Sequence, residues 1–195
     1  LPKGQTDRFR MAVFSCSNLG FGHFNGYAHA AQADEFDLAV HLGDYLYEYD
    51  SANYPSEGQR LPGRDVEPVS EIVRLADYRL RYASYRRDPD LLRLHQLYPM
   101  VSVFDDHESA NDSWKGGAQN HSPETEGPWS ARKRAALKAR SEWMPVSDDP
   151  WARYDIGDLA TLFRLETRLT ARDKPLDLAE ITRGMSPDAA GAALR

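Results

Sequence analysis

Apolar residues in this chain gather into short runs separated by polar, glycine- and proline-containing stretches. Runs of this length, rich in β-branched and aromatic residues, read as buried strands. Three stand out: 9–16 (FRMAVFSC), 36–42 (FDLAVHL) and 98–104 (YPMVSVF). The first is broken by Ser17, Asn18 and Gly20, the second by Gly43. Between them, the Ala-rich segment 25–33 predicts a helix. A longer amphipathic helix is predicted over 69–87, with Val69, Ile72, Val73, Ala76, Leu80 and Ala83 on one stripe, and a short one over 91–97. Segment 50–68 holds Pro55, Gly58, Pro62, Gly63 and Pro68 and reads as a long loop; 116–128 reads as a polar loop. Ala131, Ala135, Ala139 and Trp143 place a helix over 130–143, ended by Pro145. Segments 154–156 and 159–165 predict a hairpin around Gly157-Asp158. The polar stretch 170–195 reads as an irregular excursion or lid. Strands alternating with helices predict an α/β layered fold.

Composition narrows the function classes. The 195 residues suffice for a sizeable core, and 41% hydrophobic with 11% aromatic residues excludes a disordered chain. Asp and Glu total 30 against 24 Lys and Arg, a net charge of −6, so no specific nucleic-acid partner is expected. The longest uncharged stretch, 11–33, is long enough to span a bilayer, but Ser15, Ser17, Asn18, His23, Asn25, His29 and Gln32 make it unsuitable as a transmembrane segment. No signal-peptide pattern opens the chain. The single cysteine, Cys16, excludes an intramolecular disulfide framework.

In open α/β sheets ligands bind beyond the carboxyl ends of the strands. Those ends carry Ser15-Cys16-Ser17-Asn18, Gly43-Asp44-Tyr45-Leu46-Tyr47-Glu48 and Asp105-Asp106-His107-Glu108. Singly, each has a bland reading: a buried thiol, a packing tyrosine, a helix cap. Together they bring acids close enough to repel one another unless a cation neutralises them, which points to metal binding.

These blocks resemble the PhoD-like phosphatases. The resemblance continues through Gly117-Ala118-Gln119-Asn120-His121, Trp143-Met144-Pro145-Val146 and Gly157-Asp158-Leu159 to Glu166-Thr167-Arg168, and covers 9–168. It implies an α/β fold of the calcineurin-like metallophosphoesterase type, a four-layer α/β/β/α sandwich. The implied activity is metal-dependent hydrolysis of phosphomonoesters or phosphodiesters by in-line attack of a metal-bridged hydroxide, with Fe3+ and Ca2+ as cofactors, a phosphate-ester substrate and a periplasmic or extracellular location. Carried over by residue, Cys16, Asp44 and Tyr47 are iron ligands and Asp44 bridges to the second metal. Asp106 is a ligand of the second metal, with Asp105 or Asn111 as further candidates. His107 faces the phosphate, and Arg168 either touches phosphate or makes a structural ion pair. The alternatives are a phospholipase D-like phosphodiesterase on the same scaffold and a catalytically incomplete metal-binding fragment. No histidine follows His121, whereas this family completes its metal shells with later histidines. The expectation is therefore that 1–195 is the N-terminal part of a catalytic domain, without the β-sandwich domain that usually precedes it.

Other residues receive structural readings. His23 and His29 are expected at the surface, and His41 in the core, where it could hydrogen-bond a ligand. Asn120 and His121 are expected either to support the ligands from behind or to brace their loop, with a ligand role as the alternative. The basic cluster Arg132, Lys133, Arg134, Lys138 and Arg140 is expected on a solvated helix face.

Overall fold

The structure is a computed structural model that describes residues 1–52, 54–144, 146–147 and 149–193. Pro145, expected to end a helix, lies outside the described residues. The elements run β1 (Met11–Phe14), α1 (Asn25–Ala33), β2 (Leu38–His41), α2 (Leu75–Arg86), α3 (Pro89–Leu97), β3 (Met100–Ser102), α4 (Pro123–Glu126), α5 (Trp129–Trp143), β4 (Trp151–Ile156), β5 (Ala160–Leu165), α6 (Leu178–Ile181) and α7 (Pro187–Ala193). The first three strands form a parallel sheet in the order β1-β2-β3, and β4 and β5 form an antiparallel hairpin. The mixed α/β class is as the sequence implies. The two small helices α6 and α7 give the stretch after 170 more regularity than expected.

The sheet has two unlike faces. Ala39 belongs to the main core, which it shares with Tyr27, Tyr78, Tyr82, Tyr85, Leu91 and Leu94 from α1, α2 and α3. On the other face Leu38, Val40 and Val101 form a smaller cluster with Phe9, Tyr154 and Leu162, so the hairpin covers part of that side. β2 is buried along its whole length. β1 is not the buried strand expected: it is an edge, and Met11 and Val13 are 44% and 56% exposed.

Two helices differ from their periodicity. The predicted helix over 69–87 begins only at Leu75. The stretch before it is held extended, with Ser51 N–H donating to Val69 O and Ile72 N–H to Glu48 O; Asp77 then accepts from Val73 and Arg74 N–H at the helix start. Tertiary backbone bonds here outweigh helical spacing. Val69 and Leu80 of the expected stripe are exposed, and α2 instead buries Tyr78, Arg81, Tyr82, Ser84 and Tyr85. Arg81 donates to the carbonyls of Tyr47, Tyr49, Glu67, Pro68 and Ser70, which satisfies irregular backbone that has no other partner in a ladder.

α5 likewise buries Trp129, Arg132, Ala136, Ala139 and Arg140, one step round from the alanine stripe read in the sequence. Arg132 and Arg140 therefore do not lie on a solvated face. Arg132 pairs with Glu71 at 2.6 Å and Glu126 at 3.0 Å, and Arg140 donates to Ser102 O at 2.9 Å. A buried guanidinium needs such partners, and they turn the helix toward them.

Candidate metal centre

The three strand ends meet because the chain makes a close approach at Gly43. Its φ is +104°, and a Cβ there would lie 2.4 Å from the Cβ of Asp105 and 2.7 Å from its backbone N, so only glycine fits. Cys16 N–H donates to Gly43 O and Ser17 N–H to Asp44 O, which carries the β1–β2 pairing into the loops. Cys16 and Asp44 both hold left-handed backbone, φ 57° and 52°, unusual for residues with a Cβ. Strain of this kind persists where surrounding contacts over-determine it, often at functional sites. Glu108 joins the other two ends: its oxygens accept from Tyr45 N–H at 2.8 Å and Asp105 N–H at 3.0 Å. Burial pushes the Glu108 carboxyl up to about 7. This fourth acid of the Asp-Asp-His-Glu block is thus a brace between loops.

Side chains converge on Asp44. Cys16 Sγ and Tyr47 Oη each lie 3.4 Å from Asp44 Oδ2. Ligand-capable atoms of Asp44, Asp106 and His107 all fall within 4.8 Å of one another. Asp44 Oδ1 is buried and accepts no hydrogen bond among the described residues. Burial pushes the Asp44 carboxyl up, opposed by nearby His107 and reinforced by Asp105 and Asp106. Burial also raises the Cys16 thiol and, together with Asp44 and Cys16, the Tyr47 phenol. Without a cation the anionic forms of these groups are disfavoured, and a bound cation reverses that balance. The donor set of thiol, phenol and carboxylates suits a transition metal with an oxygen-preferring neighbour, so these residues fit a metal site.

Glu48, to which the sequence assigned no role, is fully buried and accepts from His107 Nδ1 at 2.7 Å, Asn111 N–H at 2.5 Å and Asn120 Nδ2 at 2.9 Å. Burial alone lowers His107, but Glu48, Asp44 and Asp106 outweigh it and raise the imidazole to about 9. With Nδ1 committed, Nε2 is the nitrogen left to act. Asn120 Nδ2 also donates to Glu71 Oε1, the carboxylate held by buried Arg132. Of the roles expected for Asn120, its contacts are those of support: it holds Glu48, which in turn holds His107. His121 Nδ1 lies 2.8 Å from Glu126 Oε2, though without the alignment of a hydrogen bond. The only sequence signal for Glu48 is an acid set among aromatics, Tyr45-Leu46-Tyr47-Glu48-Tyr49.

Arg168 reaches the site from the far side of the hairpin. Glu166 accepts from the N–H groups of Arg168, Leu169 and Thr170 and builds the turn that presents it. Its guanidinium contacts Asp105 at 2.5 Å, Asp106 at 3.4 Å and Asp112 at 3.8 Å. Asp106 Oδ2 accepts from Asp112 N–H at 2.6 Å. Asn111 lies farther out, its amide donating to Gln119. His23 and His29 are exposed. His41 is buried against Ser17 and Tyr27, and burial lowers it to about 4.

The model of the PhoD-like phosphatase family matches residues 11–192. Alkaline phosphatase D of Bacillus subtilis (strain 168) is 33% identical over 179 residues, which cover 86% of this chain and 29% of that protein. A solved structure described as the structure of PhoD matches with a TM-score of 0.78 and 31% identity, over 89% of this chain and 34% of its own. The chain thus spans about a third of the length of the relatives it matches. On its own sequence and fold, this chain belongs to the PhoD-like phosphatase family.

Proposed function

We propose that the chain contributes the Cys16, Asp44, Tyr47 and Asp106 side of a two-metal phosphoesterase site acting on phosphomonoesters or phosphodiesters. The observation that carries this is the convergence of Cys16, Tyr47, Asp106 and His107 on Asp44, one of whose buried oxygens has no partner among the described residues. Asp44 would be the bridging candidate, with Asp105 or Asn111 as a further ligand. Iron and calcium, held by these residues, would supply Lewis acidity and lower the pKa of a bound water. His107, held by Glu48, presents a protonated Nε2 to the phosphoryl group or its leaving oxygen. Arg168 makes ion pairs with Asp105 and Asp106 and would add positive charge where an anionic substrate binds.

The chain is, on this reading, the N-terminal part of a four-layer α/β/β/α catalytic domain. A second sheet would lie on the face of Leu38, Val40 and Val101, where Met11 and Val13 remain exposed. Resemblance to the Bacillus enzyme favours a periplasmic or extracellular site of action. No helix among the described residues is long and apolar enough to cross a membrane. The test is Asp44→Asn in the longer protein that contains this chain. Metal content measured by elemental analysis is expected to fall, and p-nitrophenyl phosphate turnover to drop more than about 100-fold. Retention of both rejects the site.

A further inference from the structure

A cavity of about 370 Å³ opens directly beside the candidate metal ligands, with Cys16 and Tyr47 in its wall. Its remaining lining includes Phe21, Phe24, Tyr54 and His23. Phe21 and Tyr54 meet edge to face with ring centroids 5.2 Å apart, and Tyr54 continues to Tyr47 at 6.1 Å and Tyr49 at 4.8 Å. Tyr47 and Tyr49 in turn flank His107, at 4.3 and 5.2 Å. The aromatic wall is therefore continuous from the group proposed to protonate the leaving oxygen to two rings that stay 41% and 40% exposed. Cys16 Sγ and Tyr47 Oη, both in this wall, lie 3.4 Å from Asp44 Oδ2, so a phosphate bound at the proposed metals would have the wall beside its ester substituent. The cavity is an open depression, large enough to seat one ring against the wall. Aromatic edges and faces favour a flat aromatic group over an alkyl one, by offset or edge-to-face contact.

We infer that this cavity is the leaving-group subsite and that it selects phosphate esters with a flat aromatic leaving group, with Phe21 and Tyr54 as the specificity-determining residues. The inference rests on the phosphoesterase reading above but is testable apart from it. The probes are phenylphosphonate and methylphosphonate, which cannot be hydrolysed, titrated into the metal-loaded longer protein by calorimetry. Phenylphosphonate is expected to bind about tenfold more tightly, the worth of one or two ring contacts. Phe21→Leu and Tyr54→Leu, which keep bulk but remove the ring, are each expected to collapse the phenyl-over-methyl ratio toward one. Equal affinities in the parent protein, an unchanged ratio in both variants, or binding of neither phosphonate overturns the subsite. Phenyl preference without turnover of any ester upholds the subsite and rejects the esterase reading. Equal turnover of phenyl phosphate and glycerol phosphate, with equal phosphonate affinities, rejects the subsite alone.

Discussion

Glu48 shows how much a single buried carboxylate decides. It holds His107 by one oxygen, and by the other the Asn111 backbone and the Asn120 amide. Glu48→Gln keeps a side chain of the same size but removes the charge that pairs with the imidazole. Outer partners of this kind change activity 10- to 100-fold when replaced. Turnover in Glu48→Gln is accordingly expected to fall by about that factor while metal content measured on the same sample stays at the parent level. A parallel loss of metal would assign Glu48 to the ligand framework instead.

His41 makes an opposite use of burial. Its ring is held neutral, lowered from 6.5 to about 4, and His95, hydrogen-bonded to Tyr45 at 2.9 Å, is lowered to about 3. Because the folded value lies below the unfolded one, the stability is present above pH 6.5 and lost as pH falls toward 4. For His41 alone the loss is on the order of 3 kcal/mol. Urea midpoints measured between pH 7.5 and 4.5 are expected to fall steadily through that window, and less steeply in His41→Gln. A flat profile would show that His41 is protonated at no cost.

At the scale of elements, α2 and the loops beside the site are held by Arg81 rather than by an apolar stripe. Its five carbonyl contacts gather the backbone of 47–49 with that of 67–70. Removing a buried, charged donor leaves those carbonyls unpaired, and each such loss costs about 1–3 kcal/mol. Arg81→Met, which keeps the aliphatic stem, is expected to destabilise the chain by about 3 kcal/mol or more in chemical denaturation. A loss below about 1 kcal/mol would mean that water replaces the guanidinium at little cost. The helix periodicity gave no sign of this, because spacing reports apolar faces, and both α2 and α5 bury arginines that earn their place through partners distant in sequence. Helix α1, by contrast, has the bounds that its Ala-rich composition suggested.

For the whole molecule, the balance of ligands matters most. The chain offers Cys16, Asp44, Tyr47 and Asp106 but no histidine beyond His121. On the two-metal reading proposed above, two fully coordinated cations would need ligands beyond these. The 195-residue chain is expected, on that reading, to bind fewer than two metal ions with high affinity and to turn over p-nitrophenyl phosphate poorly. Stoichiometric binding of two ions by the shorter chain, with full turnover, would overturn the half-domain reading.

Apart from the exposure of β1, the strand runs, the α/β alternation and the residues at each strand end were legible in one dimension, because strand and turn patterns are local and the residues of each block are adjacent. So was the candidacy of Cys16, Asp44, Tyr47, Asp106 and His107. Three features were decided only by tertiary structure. Glu48 lies 59 residues from the histidine it holds. Gly43 is required by the approach of Asp105, 62 positions later. Arg81 and Arg132 are buried because carbonyls and acids from other segments surround them. Each depends on contacts between distant segments, whose partners no local pattern specifies, whereas hydrophobic periodicity and turn residues act within a few positions of one another.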